Sequence, residues 1–159
     1  MRPDQEEKIR GVPGLIGPTP RIQPTPRSGA ADPQVRRYED LAVQQLIDRI
    51  LALSPHIRYV ALYRDGALTS GECPDLAGAS SSTSDRYEKL IVNPTLLTLV
   101  TQRGNIDCGG VRFVLTRYGN FFQLVRPVRG GHLSVAVGPD GNPLELAPLI
   151  AAALERTGI

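Results

Sequence analysis

The chain has 159 residues, 41% of them hydrophobic and 21% charged, which suits one domain with an ordinary buried core and leaves little room for a second. Its net charge of +2 is unevenly placed: residues 1–37 hold seven Lys or Arg against four acids, and the rest hold eleven against twelve. A near-neutral folded part argues against nucleic acid as the main partner, and no run approaches the roughly 20 apolar residues of a membrane span.

The first residues, MRPDQEEKIR, lack the apolar stretch of a secretory signal, so the expected compartment is the cytoplasm. Cys73 and Cys108 stand apart with no CxxC spacing, which points to neither a disulfide framework nor a zinc site.

Residues 1–35 form the first region. Seven of the fourteen prolines fall in it, and proline fixes φ and removes amide donors, so GPTPRIQPTPRSGAADP is expected to be an extended or disordered arm, a linker or a docking peptide. Two TPR tripeptides recur in it, at Thr19-Pro20-Arg21 and Thr25-Pro26-Arg27.

The folded domain is expected over 36–159. RRYEDLAVQQLIDRILAL predicts a helix over 36–53, with Tyr38, Leu41, Leu46, Ile50 and Leu53 as a core-facing stripe that Val43 and Ile47 widen. Ser54-Pro55 ends it. IRYVALYRDGALTS reads as a β-hairpin around Asp65-Gly66, a pair that readily takes the positive φ angles of a type I′ turn. Apolar side chains at both parities make its first strand a central one. GECPDLAGASSSTS, 71–84, reads as a loop.

DRYEKLIVNPTLLTLVTQRG has helical spacing but contains Asn93-Pro94, and proline inside a helix costs about 3 kcal/mol. Two short helices, or one bent helix, are expected, with Asn93 as N-cap of the second. Three runs follow, VRFVLTRY, FFQLVRPV and HLSVAVG, joined at Gly119-Asn120 and Arg129-Gly130-Gly131. Connections this short permit only an antiparallel meander. In the closing PDGNPLELAPLIAAALERTGI, Leu146, Leu149, Ile150, Ala153 and Leu154 form an apolar helical stripe, and Pro148 is expected to bend the helix or confine it to its later half.

The elements add up to an α/β (α+β) domain, a five-stranded antiparallel sheet with helices on both faces. IRYVALYRDGALTS, the central helical segment, VRFVLTRYGNFFQLVRPVRGGHLSVAV and the last helix resemble the roadblock/dynein-light-chain domain, a profilin-like fold, over residues 38–157. Longin, profilin, PAS and GAF domains share parts of the pattern. The family's central helix is usually continuous, whereas Asn93-Pro94 is expected to interrupt it here.

The resemblance implies a non-enzymatic adaptor or regulator that dimerises by joining third strands into one continuous sheet with the central helices beside them, and that binds a protein partner such as a Ras-like small GTPase. On matching positions the interface would use Leu96, Leu97, Leu99 and Val100 on the helix and Val111, Phe113 and Leu115 on the strand. As aliphatic side chains at helical and alternating spacing, the same residues could equally be core. The arginines of the meander, Arg112, Arg117, Arg126 and Arg129, suit either plain solvated surface or an acidic protein partner.

Two other functions draw on parts of the sequence. Cys108 in GNIDCGG could act as a nucleophile with His56 or His132 as base, but nothing in the sequence brings either His to it. A small-molecule sensor would use Tyr59, Tyr63, Arg112 and Gln123 for walls and handles. No P-loop is present, because GNIDCGG lacks the Lys-Ser/Thr pair. Scattered singletons do not advertise a metal site, and no cofactor is expected.

Overall fold

The computed structural model describes residues 33–74 and 86–159. The expected arm at 1–35 therefore lies almost wholly outside the described residues, as does most of the expected loop at 71–84. The first helix already begins at Pro33.

Helix α1 (Pro33–Leu51) leads into strands β1 (Ile57–Arg64) and β2 (Ala67–Glu72). A π-helical turn (Glu88–Val92) runs into α2 (Asn93–Asp107); then come β3 (Val114–Arg117), β4 (Phe122–Val128), β5 (Gly131–Val137) and α3 (Pro143–Glu155). All strand pairs are antiparallel, in the order β2-β1-β5-β4-β3. The chain enters the sheet at the internal β1, turns out to the edge at β2, crosses over through α2 to the other edge at β3, and returns through β4 to β5 in the middle. Strand β1 is internal, as its two-sided apolar pattern requires. Asp65 and Gly66 both take positive φ, 51° and 84°, which is the type I′ turn expected of that pair.

The two sheet faces are built differently. On the first, Val60 and Leu62 of β1, Leu133, Val135 and Val137 of β5 and Leu124 of β4 meet Leu46, Ile47 and Ile50 of α1 and Leu146, Ile150 and Leu154 of α3. This aliphatic layer is the core, and a fully buried side chain of this kind contributes about 1.5–3 kcal/mol. A β-bulge between Ile57 and Tyr59 resets the alternation, so Ile57 joins the core too. The second face is covered by the π turn and α2 and carries polar side chains.

Three expectations needed correction. Tyr38 and Leu41 are exposed, so the buried stripe of α1 begins only at Val43. The chain does not break at Asn93-Pro94: the Asn93 N–H donates to Glu88 O, one residue further back than in an α-helix, and the widened π turn carries the chain through. Proline clashes with the carbonyl four residues earlier in a regular α-helix, and the extra residue in the turn relieves this. Asn93 makes no N-cap bond; its side chain points into the protein. Of the two expectations for Pro148, only confinement of the helix to its later half fails, since α3 runs from Pro143 through Pro148 to Glu155. Its start is fixed by Asn142, whose Oδ1 accepts from Leu144 N–H at 3.1 Å and whose Nδ2 donates to Glu145 Oε1 at 2.8 Å.

Candidate protein-interaction surface

The outer face of the helix that covers the second sheet face carries several large apolar side chains among polar ones. Tyr87, Ile91, Leu99 and Ile106 follow helical spacing along it and are exposed, Leu99 to 62% and Ile106 to 75%. Nearby, two exposed threonines bond back to the helix's own carbonyls: Thr95 Oγ1 donates to Ile91 O at 2.7 Å and Thr98 Oγ1 to Pro94 O at 2.8 Å. Such back-bonding satisfies the hydroxyl locally. Exposed Gln102 and Arg103, the latter paired with Asp107, fall between Leu99 and Ile106 on the same side, so the apolar surface is interrupted there; large exposed apolar side chains grouped on one helix face still mark a candidate interaction site.

Strand β3 is the edge of the sheet beyond β4. Its four residues pair with β4 on one side only, which leaves backbone donors and acceptors available for another strand. The expected run from Val111 pairs only from Val114 onward. Val111 instead packs beside Gly104, where a Cβ would meet Val111 Cγ2 at 3.0 Å, so the loop after α2 is folded closely against the helix.

The residues singled out by the resemblance do not share one surface. Leu99 is exposed, Leu96 and Val100 are half-buried, and Leu97 is buried against the sheet. Phe113 and Leu115 pack against the aliphatic core on the opposite face. The four arginines are also dispersed. Arg117 lies over the Phe122 ring, 4.5 Å from its centroid, and donates to Tyr118 O at 2.6 Å and Phe121 O at 3.0 Å. Arg126 and Arg129 sit at the other end of β4, and Arg112 is exposed before β3.

Beneath α2 lies a seam of buried polar groups: Lys89, Asn93, Gln123, His132 and Ser134. Ser134 Oγ accepts from Asn93 Nδ2 at 3.4 Å and from Gln123 Nε2, which ties helix, β4 and β5 together. Lys89 Nζ meets Glu88 Oε2 at 3.1 Å and stands 4.8 Å from the centroid of the Tyr59 ring. Glu88 also accepts from the Tyr118 hydroxyl at 3.2 Å; burial first and the Glu88 charge second push the Tyr118 pKa up. No charge run or periodic motif announces this seam in the sequence, because its members come from separate segments.

His132 stands 5.6 Å from Tyr63, ring centroid to centroid. Burial, with the Lys89 charge as a second cause, lowers its pKa from 6.5 to about 4. Folded His132 therefore stays neutral while the unfolded chain takes up a proton near pH 6.5. Its contribution to stability is complete above that pH and is lost as pH falls from 6.5 towards 4, by about 3 kcal/mol at most. Urea titrations at several pH values between 7 and 4 are expected to show this fall, and His132→Leu to flatten that part of the profile.

Cys108, at the C-terminal end of α2, is exposed, and its Sγ donates to Asp107 Oδ1 at 3.2 Å. That hydrogen bond, and to a lesser degree burial, raises the thiol pKa, opposite to the lowering that activates a nucleophilic cysteine. Among the described residues no three His, Cys, Asp or Glu side chains are grouped closely enough to hold a metal ion. No helix among them is long and apolar enough to cross a membrane.

An antiparallel five-stranded sheet with its terminal helices on one face and a central helix on the other defines the roadblock/LC7 fold, and the chain has that fold. It is similar to the crystal structure of a roadblock/LC7 domain from Streptomyces avermitilis, at 20% identity over 70% of this chain and 91% of that one, with a TM-score of 0.54. It is similar also to the gliding protein MglB from Thermus thermophilus, at 17% identity over 76% and 89% of the two chains and a TM-score of 0.54. A structure described as MglB with tetrameric arrangement matches at 16% identity over 74% and 85%, again with a TM-score of 0.54. No protein-family model and no curated protein matches the sequence.

Proposed function

We propose that the chain is a non-enzymatic, cytoplasmic protein-interaction domain that acts as a homodimer and regulates a protein partner of the Ras-like small GTPase kind. The observation that carries this reading is the group of exposed apolar side chains on α2, with Leu99 and Ile106 at its centre and far end. The unpaired edge of β3 adds backbone groups that a second copy's β3 can meet in an antiparallel pair. The likeness to roadblock/LC7 and MglB structures supports the regulator reading, and the tetrameric arrangement named for one MglB structure is consistent with assembly through such surfaces.

Size-exclusion chromatography with light scattering is expected to give twice the 17.2 kDa chain mass. A clean monomer at high micromolar concentration overturns the dimer. Capture from the native cell followed by mass spectrometry tests the partner: recovery of a small GTPase supports the finer claim, and recovery of other proteins alone removes it.

A further inference from the structure

The register places Tyr63, His132 and Pro127 in one row across β1, β5 and β4. Where the C-terminal half of α2 passes over that row, a cleft of about 450 Å³ opens to solvent along one side. Ligand sites for small molecules commonly begin at a few hundred Å³. Tyr63, Pro94, Leu97 and Pro127 give it flat apolar walls, while Thr101, Gln102 and Asn105 supply a hydroxyl and two primary amides from the helix.

His132 sits in the wall, only 2% exposed, and its Nε2 is sealed from solvent without a hydrogen-bond partner. A buried polar atom left without a partner costs free energy, typically about 1–3 kcal/mol. The neighbouring Asn93 and Gln123 both donate to Ser134 Oγ; His132 is left out of that set, as is Gln123 Oε1, and His132 lines the cleft. None of the lining side chains is an acid, a lysine or an arginine, so a charged ligand would lose its hydration and find no counter-charge.

We propose that this cleft binds a neutral, planar small molecule with hydrogen-bonding groups on its rim, of the size of a nucleobase, nucleoside or aromatic amide. The ring packs on Tyr63 and the two prolines beside His132, and its polar edge bonds to Thr101, Gln102 and Asn105. The site uses the flank of α2 next to the exposed apolar residues, with Gln102 at the border between the two. Binding is therefore measured with the oligomeric state monitored alongside it, so that loss of one is distinguished from loss of the other.

The experiment is a thermal-shift and NMR titration of the full chain with adenosine, uridine and nicotinamide, using adenosine monophosphate and nicotinate as charged counterparts. At ten times the dissociation constant a neutral probe is expected to raise Tm by about 3–6 °C and to move the His132 ring-proton resonances. Thr101→Trp, which fills the cleft from its half-buried rim, is expected to abolish both effects. Should that variant fold poorly, Gln102→Ala with Asn105→Ala, both at exposed positions, is expected to weaken binding at least ~10-fold. No response to any neutral probe up to ~10 mM, an equal response to the charged counterparts, or full binding by the filled or amide-stripped variants each overturns the proposal.

Discussion

Replacing Gly131 by alanine is expected to lower stability by at least ~3 kcal/mol and Tm by ~10 °C or more. Gly131 opens β5 opposite Arg64 of β1. A methyl group there would fall far inside contact of the Tyr63 carbonyl oxygen, 2.8 Å from the carbonyl carbon and 3.0 Å from Arg64 Cα. These are backbone atoms of an internal strand, so no side-chain rotation relieves the clash. Two central strands would have to part, with the aliphatic layer attached to both. Gly119, which has nothing within 4 Å of an added Cβ, is the control: Gly119→Ala is expected to change stability by less than ~1 kcal/mol. Urea midpoints of the two variants check the contrast.

Changing Leu99 to glutamate is expected to raise the dissociation constant of the proposed dimer at least ~100-fold while leaving helix content and monomer stability nearly unchanged. Leu99 is exposed in the isolated chain and glutamate is a good helix former, so the substitution harms only a state in which a second surface covers that position. Sedimentation equilibrium gives the constant, and circular dichroism reports the helix. Unchanged association would place the contact elsewhere. Phe113→Ala or Leu115→Ala would not serve as the same test, because both side chains pack against the core and their loss unsettles the fold itself.

What the sequence made legible was governed by short-range chemistry. Asp65-Gly66 announces its turn because two residues suffice to set its φ angles. The three-strand meander follows from connections too short for any crossover. Asn93 shows the opposite case. Its local context, just before a proline, suits a helix cap, yet its side chain is buried against Ser134, 41 residues away. Tyr38 and Leu41 look like the start of the stripe, but Leu46 lies five positions after Leu41, and at about 100° per residue that puts Leu41 nearly opposite the buried Val43, Leu46, Ile47 and Ile50, with Tyr38 also turned away, so both are exposed.

The candidate surface was harder to read than the fold. Leu96, Leu97, Leu99 and Val100 are alike in type, and only the helix's rotation over the sheet separates Leu97, which is buried, from Leu99, which is not. His132 looked like an isolated histidine because the row joining it to Tyr63 and Pro127 exists only across paired strands. The buried polar seam escaped for the same reason.

The π turn at Glu88–Val92 sets the phase of everything after it. It holds one residue more than an α-helical turn, and each residue advances the helix by about 100°. Deleting one of its residues would rotate the whole of α2 by that angle about its axis. Asn93 would swing away from Ser134 and Leu97 away from the sheet. Leu99 and Ile106 would leave their outward bearing at the same time. A single inserted residue thus decides which side of this helix is the protein's interior and which is offered to others.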